Sequence, residues 1–204
     1  MDIVFVKKYL HENLGFSDEK IHKIHKYIDL LLIFNKKYNL ISKTTEKEVW
    51  NRHILDSAQI IKYIDFNKGH ILTDFGSGAG LPGVILSIAN TNPNFHVKLY
   101  EKSSVKRKFL NLIKKKLNIK CDISENVYND RIIANIIVSR AFKKIEEIIK
   151  ISREIVKKPH KIIILKGKSA QAEINTISLA SNYSYKLVNS ITDSDSRIIL
   201  IEAR

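Results

Sequence analysis

Cysteine is nearly absent from this 204-residue chain. The one cysteine, Cys121, excludes an internal disulfide framework and any metal site built from several thiolates, and we expect no metal site. Because Cys121 is a small apolar residue in a predicted strand, we expect it in the core rather than as a nucleophile.

Long apolar runs are absent as well. No run approaches the ~20 residues that a membrane-spanning helix needs. The segment Met1 to Val4 lacks the basic region, followed by an apolar core, that begins a signal peptide. We therefore expect a cytoplasmic protein with no membrane partner. At 44% apolar residues, the chain is long enough to bury one substantial core.

Acidic residues are scarce, at 21 against 35 Lys and Arg, which gives a formal net charge of +14. This charge favours a polyanionic partner such as RNA, although an AT-rich genome produces a similar excess of lysine without any nucleic-acid role. Basic clusters on one predicted helix favour RNA more specifically, because such a face can hold phosphates; a merely solvated face is the alternative. The clusters are Lys102, Lys106, Arg107 and Lys108, and then Lys114, Lys115 and Lys116.

The most informative segment that is present runs from Asp74 to Gly83 and follows the apolar pair Ile71 and Leu72. It places four glycines within eight residues, next to an acid, where a strand becomes a helix. Glycine lets the backbone turn sharply and approach a ligand closely, and Pro82 suits the first turn of a helix. The segment predicts a loop that binds a nucleotide-like cofactor; a tight turn without a ligand is the alternative.

Two cofactor patterns overlap on this loop. The dinucleotide pattern GxGxxG is weak when it stands alone. An acid two residues before GxGxG is typical of class I methyltransferases, which bind S-adenosylmethionine. This second pattern fits better, because that cofactor has no pyrophosphate and carries an ammonium group beside which an acid is tolerated. The first pattern uses Gly78, Gly80 and Gly83; the second uses Asp74, Gly76, Gly78 and Gly80.

A second acid supports a cofactor site. The segment Phe95 to Tyr100 alternates like a strand and ends in Glu101, 25 residues beyond Gly76. In doubly wound folds, an acid in this place accepts hydrogen bonds from ribose hydroxyls. Glu101 is therefore the ribose candidate, and a solvated carboxylate paired with Lys102 or Lys106 is the alternative.

The chain divides into two regions by pattern. Residues 1–66 predict an N-terminal helical appendage, in which Ser17 caps a long amphipathic helix and Thr45 with Glu48 forms a capping-box pattern before a third helix. Residues 67–204 predict an α/β domain with a largely parallel sheet, because strands alternate with helices through six strands.

The last two predicted strands have no room for a helix between them. The segment Thr192 to Asp195 favours a hairpin, so the final strand should run antiparallel. The predicted fold is a Rossmann-like α/β fold with a seven-stranded, mostly parallel sheet and an antiparallel last strand. This is also the arrangement of class I methyltransferases.

Missing motifs narrow the target atom. Methylation of an exocyclic base amine usually uses an Asn/Asp-Pro-Pro-aromatic motif after the fourth strand, and the segment Ile137 to Phe142 has no proline. Methylation of pyrimidine carbon five needs a cysteine nucleophile, and Cys121 lies in the third predicted strand. A ring nitrogen such as guanine N7 needs only in-line placement of its lone pair. Arg140 would orient the base or the adenosyl group, unless it forms an ordinary salt bridge.

Together these segments resemble the RsmG (GidB) family, methyltransferases that modify N7 of a guanine in small-subunit (16S) ribosomal RNA. The resemblance extends from about residue 20 to the C-terminus. The glycine loop alone would indicate only a class I methyltransferase, and three further elements make the family assignment specific. These are His-x-x-Asp-Ser in Arg52 to Ser57, Ser-Arg-Ala in Ser139 to Phe142, and Leu-Lys-Gly in Leu165 to Gly167.

The loop pattern and the resemblance together imply a set of site residues. Arg140 and Lys166 are the expected catalytic residues, with Lys166 near a substrate phosphate. His53 and Asp56 share one helix face and resemble a link between the appendage and the active-site rim; without the family, a local hydrogen bond is the simpler interpretation. The expected contacts to S-adenosylmethionine are Asp74, Gly76, Gly78, Gly80, Leu81, Glu101, Asn126, Val127 and Arg140.

The sequence departs from the family pattern in two places. Lys102 stands where a serine often follows the ribose acid, and Ser124 to Val127 is irregular where a small residue and an acid usually lie near the adenine. The leading hypothesis is a monomeric methyltransferase whose partner is small-subunit ribosomal RNA or the assembling small subunit. The alternatives are a methyltransferase for a small molecule or protein, a non-catalytic RNA-binding module with the same fold and, least favoured, a dehydrogenase.

Overall fold

A computed structural model describes residues 1–128, 133–156, 158–177 and 182–204. The chain begins with two long helices, α1 (Ile3–Leu14) and α2 (Asp18–Tyr38). Side chains cap both: Asp2 accepts a hydrogen bond from the amide of Phe5, and Ser17 accepts one from Lys20, as predicted for Ser17. Apolar residues at helical spacing, including Ile24 of α2, are buried against the rest of the protein.

Residues 43–63 are helical but do not form the regular third helix that the sequence predicts. The predicted capping box is wrong, because Thr45 is used elsewhere: its hydroxyl donates to the carbonyl of Ser42 and contacts Nε2 of His53, 2.8 Å away. The segment contains 3₁₀ turns at Lys43–Glu48, a π-helical stretch at Trp50–Leu55, the short helix α3 (Asp56–Ala58) and further 3₁₀ turns at Gln59–Tyr63.

The remaining described chain forms a seven-stranded sheet in the order β3-β2-β1-β4-β5-β7-β6. The first five strands are parallel, and β7 is antiparallel to both of its neighbours, which confirms the predicted reversal. The strands are β1 (Ile71–Phe75), β2 (His96–Tyr100), β3 (Asp122–Ser124), β4 (Ile136–Arg140), β5 (His160–Lys166), β6 (Tyr183–Asn189) and β7 (Arg197–Ala203). The helices between them are α4 (Gly83–Ala89), α5 (Ser104–Leu117), α6 (Ile145–Ile155) and α7 (Ala170–Asn175).

The connection from β3 to β4 differs from the prediction, which places a helix there. The described parts of this connection, residues 125–128 and 133–135, contain no helix. The sequence pattern predicts the fourth strand near 132–139, and residue 132 lies outside the described residues. Val127 of this connection is buried in the same apolar cluster as Phe75 of β1 and Tyr100 of β2, so the segment packs on the sheet without helical structure.

Strand order reverses beside β1, whose neighbours are β2 on one side and β4 on the other. Ligands of open α/β sheets bind outside the carboxyl ends of the strands at such a point. The glycine-rich loop follows β1, Glu101 follows β2 and Arg140 ends β4, so the topology brings the three predicted elements to one edge.

The helical appendage and the sheet share one apolar core. Leu31 and Ile54 of the appendage belong to the same buried cluster as Leu99 of β2 and Phe109 of α5. None of the helices in the described parts of the chain is long and apolar enough to cross a membrane.

Candidate active site

The glycine-rich loop connects β1 to α4 in a left-handed backbone conformation. Gly76, Gly78 and Gly80 have φ angles of +72°, +59° and +97°, which residues with a Cβ atom rarely adopt. A Cβ atom at Gly76 would lie 2.2 Å from the Phe142 ring, so that glycine permits close packing. A Cβ atom at Gly78 would find no atom closer than 3.9 Å, so this glycine borders open space.

Asp74 lies beneath the loop and is completely buried. Its Oδ2 accepts a hydrogen bond from the amide of Gly83 at 2.9 Å, and its carbonyl accepts one from the Ser77 hydroxyl. Burial raises the pKa of Asp74 to about 7, against the opposing effect of the hydrogen bond from Gly83. Asp74 is therefore placed to hold β1 against the start of α4 rather than to contact a ligand.

Glu101 anchors the other side of the loop from the end of β2. Its two carboxylate oxygens accept hydrogen bonds from the amides of Gly78 and Ser103, each at 2.8 Å. The side chain is mostly buried, and it also lines the cavity beside the loop. Each carboxylate oxygen can accept a second hydrogen bond, so Glu101 can meet a hydroxyl-bearing ligand while it shapes the loop.

A cavity of about 540 Å³ opens beside the loop, and we call it the loop cavity. Its volume lies in the usual range for small-molecule and cofactor sites. The predicted contacts Gly76, Gly78, Leu81, Glu101, Asn126, Val127 and Arg140 all line it. Of the predicted contacts, Asp74 and Gly80 do not appear in its described lining; Asp74 lies below the loop, and Gly80 packs against Val84 and Leu110.

A second cavity of about 650 Å³ lies beside the first, and we call it the basic cavity. Its lining includes the cations Arg52, Arg140, Lys143, Lys166 and Arg197, and the acids Asp56 and Asp193. The predicted catalytic residue Lys166 lies here, at the end of β5. Its ammonium group lies 3.0 Å from a carboxylate oxygen of Glu173 and donates to the carbonyl of Lys143.

Arg140 lies in the wall that the two cavities share. Its guanidinium group lies 3.2 Å from Nδ1 of His53 and 3.4 Å from Oδ2 of Asp56, and it donates to the carbonyl of Arg52. The next residue, Ala141, has a φ angle of +51° and lines both cavities too. The predicted link between the appendage and the active-site rim is thus a direct contact to Arg140.

Sequence reasoning missed the contribution of Tyr27. This side chain of α2 is completely buried, and its hydroxyl donates to the carbonyl of Ala79 in the glycine-rich loop at 2.9 Å. Tyr27 lies in an ordinary run of apolar residues, and a contact over 52 positions leaves no local signal. Leu40 and Ile41, which follow α2, line both cavities. The appendage is therefore part of the site.

The geometry suits a nucleoside-containing cofactor. The loop cavity has open space above Gly78, a carboxylate at Glu101 and apolar side chains at Leu81 and Val127. The basic cavity, joined to it at Arg140, suits an anionic partner. Among the described residues, no cluster of His, Cys, Asp and Glu has the arrangement of a metal site.

A sequence model of the GidB family, described as rRNA small subunit methyltransferase G, matches residues 20–199. The chain belongs to this family. Ribosomal RNA small subunit methyltransferase G of Orientia tsutsugamushi (strain Ikeda) is 36% identical over 195 residues, which cover 95% of this chain and 96% of that protein. The protein of the same name from Pelagibacter ubique (strain HTCC1062) is 32% identical over 208 residues, covering 99% and 97%. The predicted family is confirmed.

The GidB-family chain also resembles solved structures at low sequence identity. An O-methyltransferase from Bacillus cereus in complex with SAH superposes with a TM-score of 0.61 at 12% identity, over 98% of this chain and 97% of that one. At this identity the likeness shows the fold alone. It confirms the predicted class I methyltransferase fold.

Proposed function

We propose that this chain transfers the methyl group of S-adenosylmethionine to N7 of a guanine in small-subunit (16S) ribosomal RNA. The observation that carries the proposal is the shared wall at Arg140, which joins the loop cavity to the basic cavity in a member of the GidB family. One cavity takes the cofactor and the other takes the RNA segment, so the two reactants meet at that wall.

The loop cavity holds the cofactor in this proposal. Gly78 leaves room for its close approach, Glu101 accepts hydrogen bonds from the ribose hydroxyls, and Asn126 and Val127 lie beside the adenine. When bound, S-adenosylmethionine supplies an electrophilic methyl group on a sulfonium ion. The buried network beneath the loop keeps these contacts in place, because Asp74 fixes Gly83 and Glu101 fixes Gly78.

The basic cavity holds the RNA. Its guanidinium and ammonium groups neutralise backbone phosphates, and Lys166 is the candidate for one such contact. Lys166 is already paired with Glu173, so a phosphate would share or replace that partner. Arg140, as a catalytic residue, touches the base or the cofactor at the shared wall. A purine in structured RNA has to be exposed before it can enter such a site.

Guanine N7 is the target atom that demands least of these residues. Its lone pair lies in the ring plane and carries no proton, so methyl transfer needs alignment but no general base. The nearby end of β4 lacks the proline motif that holds exocyclic amines. Cys121 is buried, and burial raises the pKa of its thiol to about 11, which does not suit a nucleophile at neutral pH.

Three further predictions accompany this proposal: residues 1–66 and 67–204 are the two structural regions, the protein acts as a monomer, and it works in the cytoplasm. Because the two regions share one apolar core, the full chain is the form of the protein to use in these tests. Sedimentation of the purified protein, alone and with its RNA, would measure the oligomeric state.

The decisive experiment maps N7-methylguanine in ribosomal RNA by chemical cleavage, in cells with and without this protein. We expect one cleavage site in small-subunit RNA from cells that contain the protein. This site should be absent from cells that lack the protein and should return when the wild-type gene is restored. An unchanged map overturns the proposal. If the purified protein binds small-subunit RNA but not S-adenosylmethionine, the non-catalytic RNA-binding alternative replaces it.

A further inference from the structure

His53 belongs to the appendage and contacts Arg140 at the end of β4. Nδ1 of the buried imidazole lies 3.2 Å from both Nη1 and Nη2 of Arg140. On the other side of the ring, Nε2 lies 2.8 Å from the hydroxyl of Thr45. Both ring nitrogens of His53 therefore have a hydrogen-bond partner. Nδ1 meets Arg140 in the wall that the cavities share, and Nε2 meets Thr45 of the appendage.

The direction of these hydrogen bonds follows from the partners. Arginine only donates, so Nδ1 of His53 has to be the unprotonated, accepting nitrogen. The neutral ring then carries its hydrogen on Nε2 and donates to Thr45, whose own hydroxyl donates to the carbonyl of Ser42 at 2.9 Å. Each of these three contacts, from Arg140 through His53 and Thr45 to Ser42, then pairs a donor with an acceptor.

The surroundings keep the imidazole neutral. Burial lowers the pKa of His53 to about 3, and the positive charges of Arg140 and Arg52 act in the same direction. A protonated ring would place a second N–H group and a like charge against the guanidinium. Asp56 supplies the only charge of opposite sign that pairs with Arg140 among the described residues.

The remaining donors of Arg140 are left for a ligand. Nη1 is shared among the carbonyl of Arg52, His53 and Asp56, and Nη2 meets His53. Within the described part of the chain, the Nε–H group has no acceptor. Because Arg140 lines both cavities, orienting its guanidinium plane also orients these donors.

We propose that His53 is a positioning residue for the methyl-transfer reaction: as a neutral Nδ1 acceptor, it fixes the guanidinium plane of Arg140 in the wall between the two cavities. Asp56 and the carbonyl of Arg52 complete the same clamp. The proposal rests on the proposed function, since it assumes that Arg140 meets the cofactor or the base. It assigns a role to an appendage side chain that lies outside the glycine-rich loop.

Two nearly isosteric substitutions separate positioning of Arg140 from simple support of the fold. In His53→Asn the amide oxygen takes the place of Nδ1, so the acceptor for Arg140 is kept and the contact to Thr45 is lost. In His53→Gln the terminal amide takes the place of Nε2, so the contact to Thr45 is kept and the Nδ1 acceptor is lost. Single-turnover methylation of small-subunit RNA at saturating cofactor is measured, together with the melting temperature of each variant.

We expect His53→Asn to stay within about threefold of the wild-type rate, and His53→Gln to fall by roughly 10- to 100-fold at a similar melting temperature. Equal rates for the two variants, or a faster His53→Gln, overturn the proposal. If the wild-type protein itself does not methylate the RNA, the proposed function fails instead, and the two failures are thereby distinguished.

A measurement on the wild-type protein keeps the test valid if a variant does not fold. Long-range ¹H–¹⁵N correlation spectra of the protein labelled in its histidines report which nitrogen of each ring is protonated. We expect His53 to be neutral with its hydrogen on Nε2 across pH 6 to 8, with its ring assigned through correlations to its own backbone. A hydrogen on Nδ1 would exclude acceptance from Arg140 and overturn the proposal.

Discussion

The three glycines of the loop that have positive φ angles play different structural roles. Gly76 and Gly80 are closely packed, since a Cβ atom there would lie 2.2 Å from Phe142 or 2.4 Å from Val84. Gly78 faces open space instead, while its amide is held by Glu101. A side chain at Gly78 would therefore enter the loop cavity without first displacing the core.

Gly78→Asp should abolish binding of S-adenosylmethionine and leave the fold largely intact. The new carboxylate would occupy the open space and add a second negative charge beside Glu101, and the φ angle of +59° is one that aspartate tolerates better than most residues. Isothermal titration with S-adenosylmethionine measures the loss, and thermal unfolding checks the fold.

Gly69→Asp is the matched control, because Gly69 lies before β1 at the opposite edge of the sheet and a Cβ atom there makes only ordinary contacts. It should bind the cofactor as the wild type does. Cofactor binding retained by Gly78→Asp would show that the loop is only a structural turn.

At the scale of elements, α2 acts as a support for the glycine-rich loop. It packs against α4 and α5, and Tyr27 reaches from it to the carbonyl of Ala79. A buried carbonyl that loses its donor is left unsatisfied, which costs about 1–3 kcal/mol. The appendage therefore couples mechanically to the cofactor site as well as to Arg140.

Tyr27→Phe should weaken cofactor binding by roughly tenfold and lower the free energy of unfolding by about 1–2 kcal/mol, because only the hydrogen bond to Ala79 is removed. Cofactor titration and urea denaturation measure the two effects. Tyr38→Phe, at the more exposed end of α2, is the control and should change neither. Unaltered cofactor affinity in Tyr27→Phe would mean that the loop keeps its shape without α2.

The irregular segment 43–63 shows why an element can be predicted while its geometry is not. Its helical character follows from local pattern, but Thr45 contacts His53 instead of capping one regular helix, and the neighbouring Glu46 contacts Asn35 of α2. The π-helical stretch Trp50–Leu55 contains Arg52 and His53, both of which contact Arg140. Tertiary contacts outweigh the capping preference here, because they satisfy buried polar groups that a cap would leave unpaired.

At the scale of the whole molecule, the charge of +14 predicts strongly salt-dependent binding of small-subunit RNA. Each neutralised phosphate releases counterions, so the affinity should fall steeply between 50 and 200 mM salt, as expected for about six to ten phosphate contacts. Lys143→Gln, in the lining of both cavities, should reduce the slope of log K against log salt by about one.

Filter binding or fluorescence anisotropy over a salt series measures these slopes. Lys68→Gln is the matched control, since Lys68 lies near the opposite edge of the sheet and its ammonium pairs with Asp65. It should keep the wild-type slope. Methylation that is insensitive to salt would instead favour the alternative of a small-molecule or protein substrate.

Much of the site was predictable because its signals are local. The glycines and Glu101 each follow a strand of the predicted parallel sheet, Arg140 is the last residue of another, and parallel strands end at one edge. Asp74 was predicted from the same pattern as a cofactor contact, yet it is fully buried under the loop. The sequence pattern does not tell whether Asp74 faces a ligand, because that depends on how the loop folds back over the end of β1.

By itself, the sequence determined the family, the α/β class, the reversed final strand and the glycine-rich loop. Each of these follows from the type and spacing of residues that lie close together in the chain. Only the tertiary structure decided that Tyr27 donates to the loop, that His53 and Asp56 contact Arg140, and that two cavities share one wall. These contacts join residues 52 to 87 positions apart, and hydrogen bonds across such separations exist only once the appendage has packed on the sheet.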